Sequence, residues 1–142
     1  MKKGFEQVFS DIQTDMVSAC LEYVENKADK VYIYVSYESN IMSCDFFYCI
    51  NGNMYKRNEL PQGYDVDADR QMECLDILLD NLETLLSVCE KYDADMPTEI
   101  KIIYDVKNNK INVNYQYDVQ YLSTENTADD VAEYWYQEIC KM

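Results

Sequence analysis

The sequence predicts a single α+β domain, in which helices pack on a face of one antiparallel sheet of about five strands. Three observations predict this class. Segments with apolar residues at helical spacing alternate with segments of period two, the strand-like segments have short connections, and no Pro/Gly/Ser-rich linker divides the chain. The expected order of elements is α-β-β-β-α-β-β-α, in one domain that spans residues 1–142.

The first two predicted elements are a helix and a strand. Apolar residues recur every three or four positions between Phe5 and Val24, which predicts an amphipathic helix, and Asn26 and Asp29 are expected to end it. The β-branched and aromatic run 31–37 then predicts a strand, with its valines and isoleucine on one face.

A hairpin is predicted after the first strand. The run 41–50 predicts a second strand, which places alternate residues from Met42 to Ile50 on one side. Asn51-Gly52 predicts a type I′ turn, because both residues tolerate positive φ. A short third strand, 53–57, returns from this turn, so the three strands form an antiparallel meander.

The longest predicted helix runs from the aspartate-rich segment 65–69 to about Lys91. Aspartates suit a helix N-terminus, where free N–H groups favour negative charge. Apolar residues at three- and four-residue spacing predict the side that faces the core: Met72, Leu75, Leu79, Leu82, Leu86 and Cys89, widened by Leu78 and Leu85. The acidic residues of this helix fall mostly outside that stripe.

The last three predicted elements are two strands and a helix. Alternation predicts a fourth strand at 99–106 and, in the regular run 111–119, a half-buried fifth strand. Thr127 is the expected N-cap of the last helix, with Asp129 and Asp130 in its first turn.

The net charge is the most informative bulk property. Lys and Arg number 12 against 27 Asp and Glu, which gives −15 and a pI near 4.1. Such a chain repels phosphate backbones and anionic lipids, so we expect no direct binding to nucleic acid or membranes. No segment has the pattern of a membrane span or signal peptide, so a cytoplasmic location is expected. The charge favours a basic protein as partner, although solubility alone also accounts for an acidic surface.

The sequence contains no motif of a catalytic centre or cofactor site. It has no histidine and only three glycines, and it lacks a nucleophile elbow, a phosphate-binding loop and a dinucleotide fingerprint. We therefore expect no enzymatic activity and no bound cofactor. The six cysteines form no CxxC pair, and we expect buried free thiols rather than disulfides or zinc ligands.

One acidic window has the spacing of a calcium-binding loop. Acidic or amide side chains occupy the ligand positions of an EF-hand between Asp65 and Asp76. However, Arg70 stands where the loop needs glycine, and the last position is an aspartate instead of the usual glutamate. We therefore interpret the window as an acidic helix start and expect no metal site.

The chain is rich in tyrosine, with 14 residues that often alternate along predicted strands. This pattern is typical of side chains that bury the ring at the edge of a core and leave the hydroxyl in water. Tyrosine is also enriched at binding hot spots, so the exposed tyrosines are candidate partner contacts.

Four stretches resemble the YezG-like family of immunity proteins, the antitoxin partners of nuclease toxins in Gram-positive bacteria. They are 30–35, 46–48 with the Asn51-Gly52 turn, 64–66 before the leucine helix, and 97–118; Trp135 sits where a late tryptophan is expected. The resemblance covers most of the chain from Lys30 onward. It implies a cytoplasmic, stoichiometric inhibitor that acts by binding.

The charge and the resemblance predict the same function, an immunity protein that neutralises a basic nuclease toxin. Nuclease toxins carry cationic clefts for phosphate, and an acidic protein can occupy or shadow such a cleft. The candidate contacts, chosen for charge and expected exposure, are Asp65, Asp67, Asp69, Glu73, Asp76, Asp80, Asp118, Tyr121 and Trp135.

Two other functions fit the same sequence. One is a regulatory domain that binds a small ligand or a metal through the tyrosine-lined sheet or the segment 65–76. The other is a general acidic adaptor for some other basic protein, which differs from the immunity protein only in the identity of its partner.

Overall fold

The computed structural model describes residues 3–38, 40–117 and 127–141, and these residues form the predicted α+β fold. The elements are α1 (Lys3–Tyr23), β1 (Lys30–Glu38), β2 (Ile41–Ile50), β3 (Asn53–Lys56), α2 (Ala68–Lys91), β4 (Glu99–Asp105), β5 (Lys110–Gln116) and α3 (Ala128–Cys140). The strands form one antiparallel sheet in the order β3-β2-β1-β4-β5. The predicted fold class and order of elements are confirmed.

β1 is the centre of the sheet, because it pairs with both β2 and β4. Lys30 at its start lies opposite Cys49 of β2 and Asp105 of β4. The turn between β2 and β3 has positive φ at Asn51 (53°) and Gly52 (82°), as a type I′ turn requires. Hairpins therefore build both halves of the sheet outward from one buried strand.

The helices pack on both faces of the sheet. α1 and α2 cover the face that carries Val31, Ile33 and Val35, and they form the main core with it. α3 covers the opposite face and forms a second, smaller core with residues such as Tyr32 and Phe47. The prediction that the helices pack on a single face is therefore wrong. The reason is that β1 and β2 bury aromatic rings between their aliphatic residues, so both faces of the sheet need cover.

The buried side of α2 overlaps the predicted stripe but is rotated from it. Its buried residues are Cys74, Leu78, Leu82, Leu85 and Cys89. Met72, which was expected to face the core, is 55% exposed. At about 100° per residue, apolar side chains cover more than half of the helix circumference, and the positions of α1 and the sheet select the part that is buried.

Within the described ranges, no helix combines the length and the apolarity needed to cross a membrane.

Both predicted helix starts are confirmed by their capping bonds. The side chain of Asp67 accepts a hydrogen bond from the backbone N–H of Asp69 (2.9 Å) at the start of α2. Thr127 and Asp130 form a reciprocal capping box at the start of α3, at 3.2 and 2.9 Å. These bonds satisfy N–H groups that the first turn of a helix leaves unpaired.

Candidate partner-binding site

The acidic residues predicted on and before α2 are all exposed to solvent. Five carboxylates on α2 recur every three or four residues and so form a single line, here termed the acidic stripe: Asp69, Glu73, Asp76, Asp80 and Glu83. At about 100° per residue, this line lies on the side of the helix opposite the buried Leu78 and Leu82. The sequence predicted four of the five residues; Glu83 completes the row.

Few cations balance these carboxylates. Of the six predicted acids on and before α2, Asp65 alone forms an ion pair with a described residue, at 3.7 Å from Arg70. Arg70 is turned toward α1, where one terminal nitrogen donates to the carbonyl oxygen of Tyr23 (2.9 Å); the other donates to the carbonyl oxygen of Asp65 (2.8 Å), in the segment before α2. Lys91 is the other basic residue of α2 and lies in its last turn. The negative charge of the acidic stripe therefore points into solvent.

α1 extends this acidic surface sideways. It lies beside α2, and Asn81 of α2 donates a 2.8 Å hydrogen bond to the carboxylate of Asp15. Asp11, Asp15 and Glu22 of α1 are exposed, and between Gly4 and Tyr23 this helix carries no basic residue. The two helices together form an acidic layer, here termed the α1–α2 layer, that covers one side of the molecule.

Apolar side chains interrupt the charge of the α1–α2 layer. Met72 is 55% exposed and Ile77 is 40% exposed, although both belong to an otherwise acidic outer surface. A groove of about 140 Å³ runs between the helices, with Ala19 and Ile77 among its apolar lining and Glu22 and Glu73 among its acidic lining. Protein interfaces combine a small apolar centre with a charged rim, and this layer offers both.

The three candidate contacts nearer the C-terminus do not join this layer. Asp118 and Tyr121 lie outside the described residues. Trp135 was expected to be exposed, but it is only 6% exposed, so that prediction is wrong. Its ring packs 5.1 Å from the ring of Phe47 and 6.0 Å from that of Tyr32, because the inner face of α3 closes the second core.

A buried polar cluster beside Trp135 was not foreseen from the sequence. Glu99 is only 4% exposed, although alternation placed it on the polar side of β4. It accepts a 2.9 Å hydrogen bond from the hydroxyl of Tyr34, and the amine of Lys101 lies 3.7 Å away. The same amine lies 5.5 Å from the centre of the Trp135 ring. These partners offset the burial of the carboxylate, so the cluster holds the sheet and α3 together.

The tyrosine hydroxyls also depart from expectation where the rings are deeply buried. Tyr48 donates a 2.6 Å hydrogen bond to the carbonyl oxygen of Cys20, and Tyr23 donates one of 2.9 Å to that of Arg57. These hydroxyls are bonded to the protein rather than left in water. Burial raises the pKa of Tyr48 far above its usual value, so this side chain serves packing.

The EF-hand spacing in segment 65–76 does not correspond to a loop. From Ala68 onward the segment is helical, so its carboxylates spread along the helix instead of wrapping around one point. Within the described residues, no group of three or more Cys, Asp or Glu side chains is placed to hold a metal ion.

All six cysteines are free thiols, but they differ in exposure. Cys20 and Cys74 are buried at the α1–α2 contact, with their sulfur atoms 4.0 Å apart. Burial raises the pKa of Cys44 to about 12 and that of Cys20 well above its usual value, so neither thiol is reactive at neutral pH. Cys140, at the end of α3, is exposed, which departs from the expectation of buried thiols.

Two open clefts border α3. One, of about 300 Å³, contains the ion pairs Lys56–Glu133 and Arg57–Asp45, so its cations are already neutralised. The other, of about 420 Å³, lies between the β2–β3 turn and the end of α3. Of these two ion pairs, Lys56–Glu133 links α3 to the sheet, whereas Arg57–Asp45 joins β2 to the residue that follows β3.

The chain matches no protein-family model and no curated protein sequence. The resemblance to the YezG-like immunity proteins therefore stays a prediction.

Proposed function

We propose that this protein is an immunity protein, which binds a basic nuclease toxin through the α1–α2 layer and neutralises it stoichiometrically. The acidic stripe carries the proposal, because its carboxylates are exposed and none forms an ion pair with a described residue. Inhibition comes from association and needs no chemistry of the protein's own. Six free thiols suit the reducing cytoplasm in which such an inhibitor works.

The geometry of the acidic stripe suits a cleft built for nucleic acid. Its carboxylates follow one another about 5 Å apart along the helix axis, at 1.5 Å per residue. Phosphates of one DNA strand are spaced about 3.4 Å along the duplex axis, so the two rows of negative charge have comparable density. Lys and Arg side chains that hold phosphates in the toxin would meet carboxylates here instead.

Opposite charge supplies the rate and specificity of this association, and the apolar residues supply contact area. A basic toxin is steered toward a −15 protein from a distance, and the attraction weakens as salt screens it. Met72 and Ile77 sit on either side of the acidic stripe and offer the apolar contacts that a tight interface places near its centre.

The test compares two double variants that remove the same charge. Asp76→Asn/Asp80→Asn neutralises the middle of the acidic stripe, and Glu59→Gln/Glu138→Gln neutralises two exposed carboxylates outside the α1–α2 layer. Binding to the toxin encoded beside this gene is measured by calorimetry at low and at high salt. We expect the stripe variant to bind about tenfold more weakly at low salt and the matched variant to bind about as well as the wild type.

The same measurement can overturn the proposal. If wild-type protein binds no neighbouring toxin, the immunity function is wrong. If both double variants weaken binding equally, only the overall charge matters and the acidic stripe is not the contact surface.

A further inference from the structure

β5 is an exposed edge strand rather than the half-buried strand that its alternation predicted. Among the residues that the structure describes it pairs with β4 alone, and every residue of the strand except Val113 is exposed. Ile111 is 44% exposed and Tyr115 is 36% exposed, although both point to the α1 side of the sheet. The outer edge of β5 is thus a row of backbone groups flanked by apolar side chains.

The two edges of the sheet differ in how they are protected. β3 has only four residues, and Lys56 at its end pairs with Glu133 of α3. Natural sheets shield their edges in this way, with short strands and charged side chains. β5 has seven residues, and its single charge is Lys110 at the first position. Nothing in the strand itself opposes pairing with another strand.

The sequence of β5 is symmetrical about Val113. Two apolar residues, Ile111 and Tyr115, enclose two asparagines, Asn112 and Asn114, which enclose the central valine. A two-fold axis at Val113 therefore places Ile111 of one copy opposite Tyr115 of the other, and Asn112 opposite Asn114. An antiparallel pair of β5 strands is then self-complementary, which an isologous dimer requires.

The charge of the strand also favours a second copy over a basic partner. The chain carries −15, yet the segment 110–117 contains no carboxylate. Two copies can therefore approach at β5 without opposing carboxylates in the paired strands, while a basic protein finds no opposite charge in this strand.

Tyr115 is already held in position for such a contact. Its ring meets that of Phe9 edge-on at 5.2 Å, and its hydroxyl is hydrogen-bonded by Gln13 of α1. Contacts that are fixed before association cost less entropy when a partner docks. We infer that β5 pairs antiparallel with β5 of a second copy, so that the two sheets become one continuous sheet.

The test uses two double variants of the full chain that change the same pair of exposed residues. Asn112→Glu/Asn114→Glu places like charges opposite one another at both symmetric positions. Asn112→Lys/Asn114→Glu places opposite charges there, because position 112 of one copy faces position 114 of the other. Sedimentation velocity over a range of protein concentrations measures the dimer dissociation constant, and circular dichroism confirms that both variants are folded.

We expect wild-type protein to dimerise, with the first variant about tenfold weaker and the second at least as tight as the wild type. Salt should strengthen the wild-type dimer by screening two negative bodies, which is the opposite of its effect on a complex with a basic toxin. A wild-type protein that stays monomeric at every concentration and salt would overturn the inference. So would a first variant that dimerises as well as the wild type, because the contact would then lie elsewhere.

Discussion

Truncating Trp135 to alanine should lower the stability of the fold, because this side chain closes the second core between α3 and the sheet. The ring is only 6% exposed and lies within 6.2 Å of the rings of Tyr32, Tyr34 and Phe47, measured between ring centres. The smaller core has few other buried members, so its neighbours cannot refill the space.

The expected cost is about 4 kcal/mol, within the range of about 3–5 kcal/mol for removing a buried Phe or Trp side chain. A domain with a total stability of about 5–15 kcal/mol loses a large share of it. With a urea m-value of about 2 kcal/mol/M for a chain of this size, the unfolding midpoint should fall by about 2 M. Trp135→Phe, which keeps a ring in place, should cost less than half as much.

Urea unfolding followed by far-ultraviolet circular dichroism measures these midpoints. Gln137→Ala is the matched control, since Gln137 is an exposed residue of the same helix, and it should shift the midpoint by less than about 0.3 M. If Trp135→Ala unfolds within about 0.5 M of the wild type, the reasoning fails and α3 does not close a core on this face.

Two further predictions concern ionisable groups. At mildly alkaline pH an aromatic disulfide reagent should label Cys140 rapidly, while Cys20 and Cys44 should react only on unfolding. Burial raises the pKa values of Cys20 and Cys44, so the reactive thiolate is not formed there. If mass spectrometry shows that Cys44 is labelled as fast as Cys140, this prediction is wrong. Burial and the neighbouring Cys140 raise the pKa of Tyr136 to about 12 from its ordinary 10.0, and burial raises that of Tyr48 further. The folded state therefore holds these protons more tightly than the unfolded state. The stability that Tyr136 contributes is present below pH 10 and is lost as the pH rises through about 12. Urea midpoints should accordingly fall above pH 10, and the fall should be smaller in Tyr136→Phe; a fall of equal size in both proteins would count against the assignment.

Local patterns predicted the elements of the fold because each element has its own signal. The alternation of Val31, Ile33 and Val35, the Asn51-Gly52 turn and the cap at Thr127 all act within a few residues, and each was confirmed. The packing of the helices was harder to predict, because it depends on contacts between distant residues. α3 lies on the second face since Tyr32 and Phe47 need cover there, and a tyrosine on a strand gives no indication of how deeply it is buried.

In the candidate site, too, the features that depend on local patterns were predicted correctly and those that depend on tertiary packing were not. The carboxylates of α2 were expected to be exposed and are, because a charged side chain on a helix has a strong preference for water. Trp135 was misplaced because exposure at a single helical position depends on which side the sheet occupies. The α2 stripe was rotated for a related reason: apolar residues from Met72 to Cys89 spread too widely around the helix for periodicity alone to select the buried side.

The most direct test of the proposed immunity function is an inhibition titration. Purified toxin from the neighbouring gene is held at a concentration well above the dissociation constant, and its nuclease activity is followed as this protein is added. The proposed function predicts a linear loss of activity that ends at a fixed molar ratio. In a second titration at low salt, with the toxin held near the dissociation constant, Asp76→Asn/Asp80→Asn should inhibit less than Glu59→Gln/Glu138→Gln. Nuclease activity that is unchanged at a large excess of wild-type protein would contradict the immunity function.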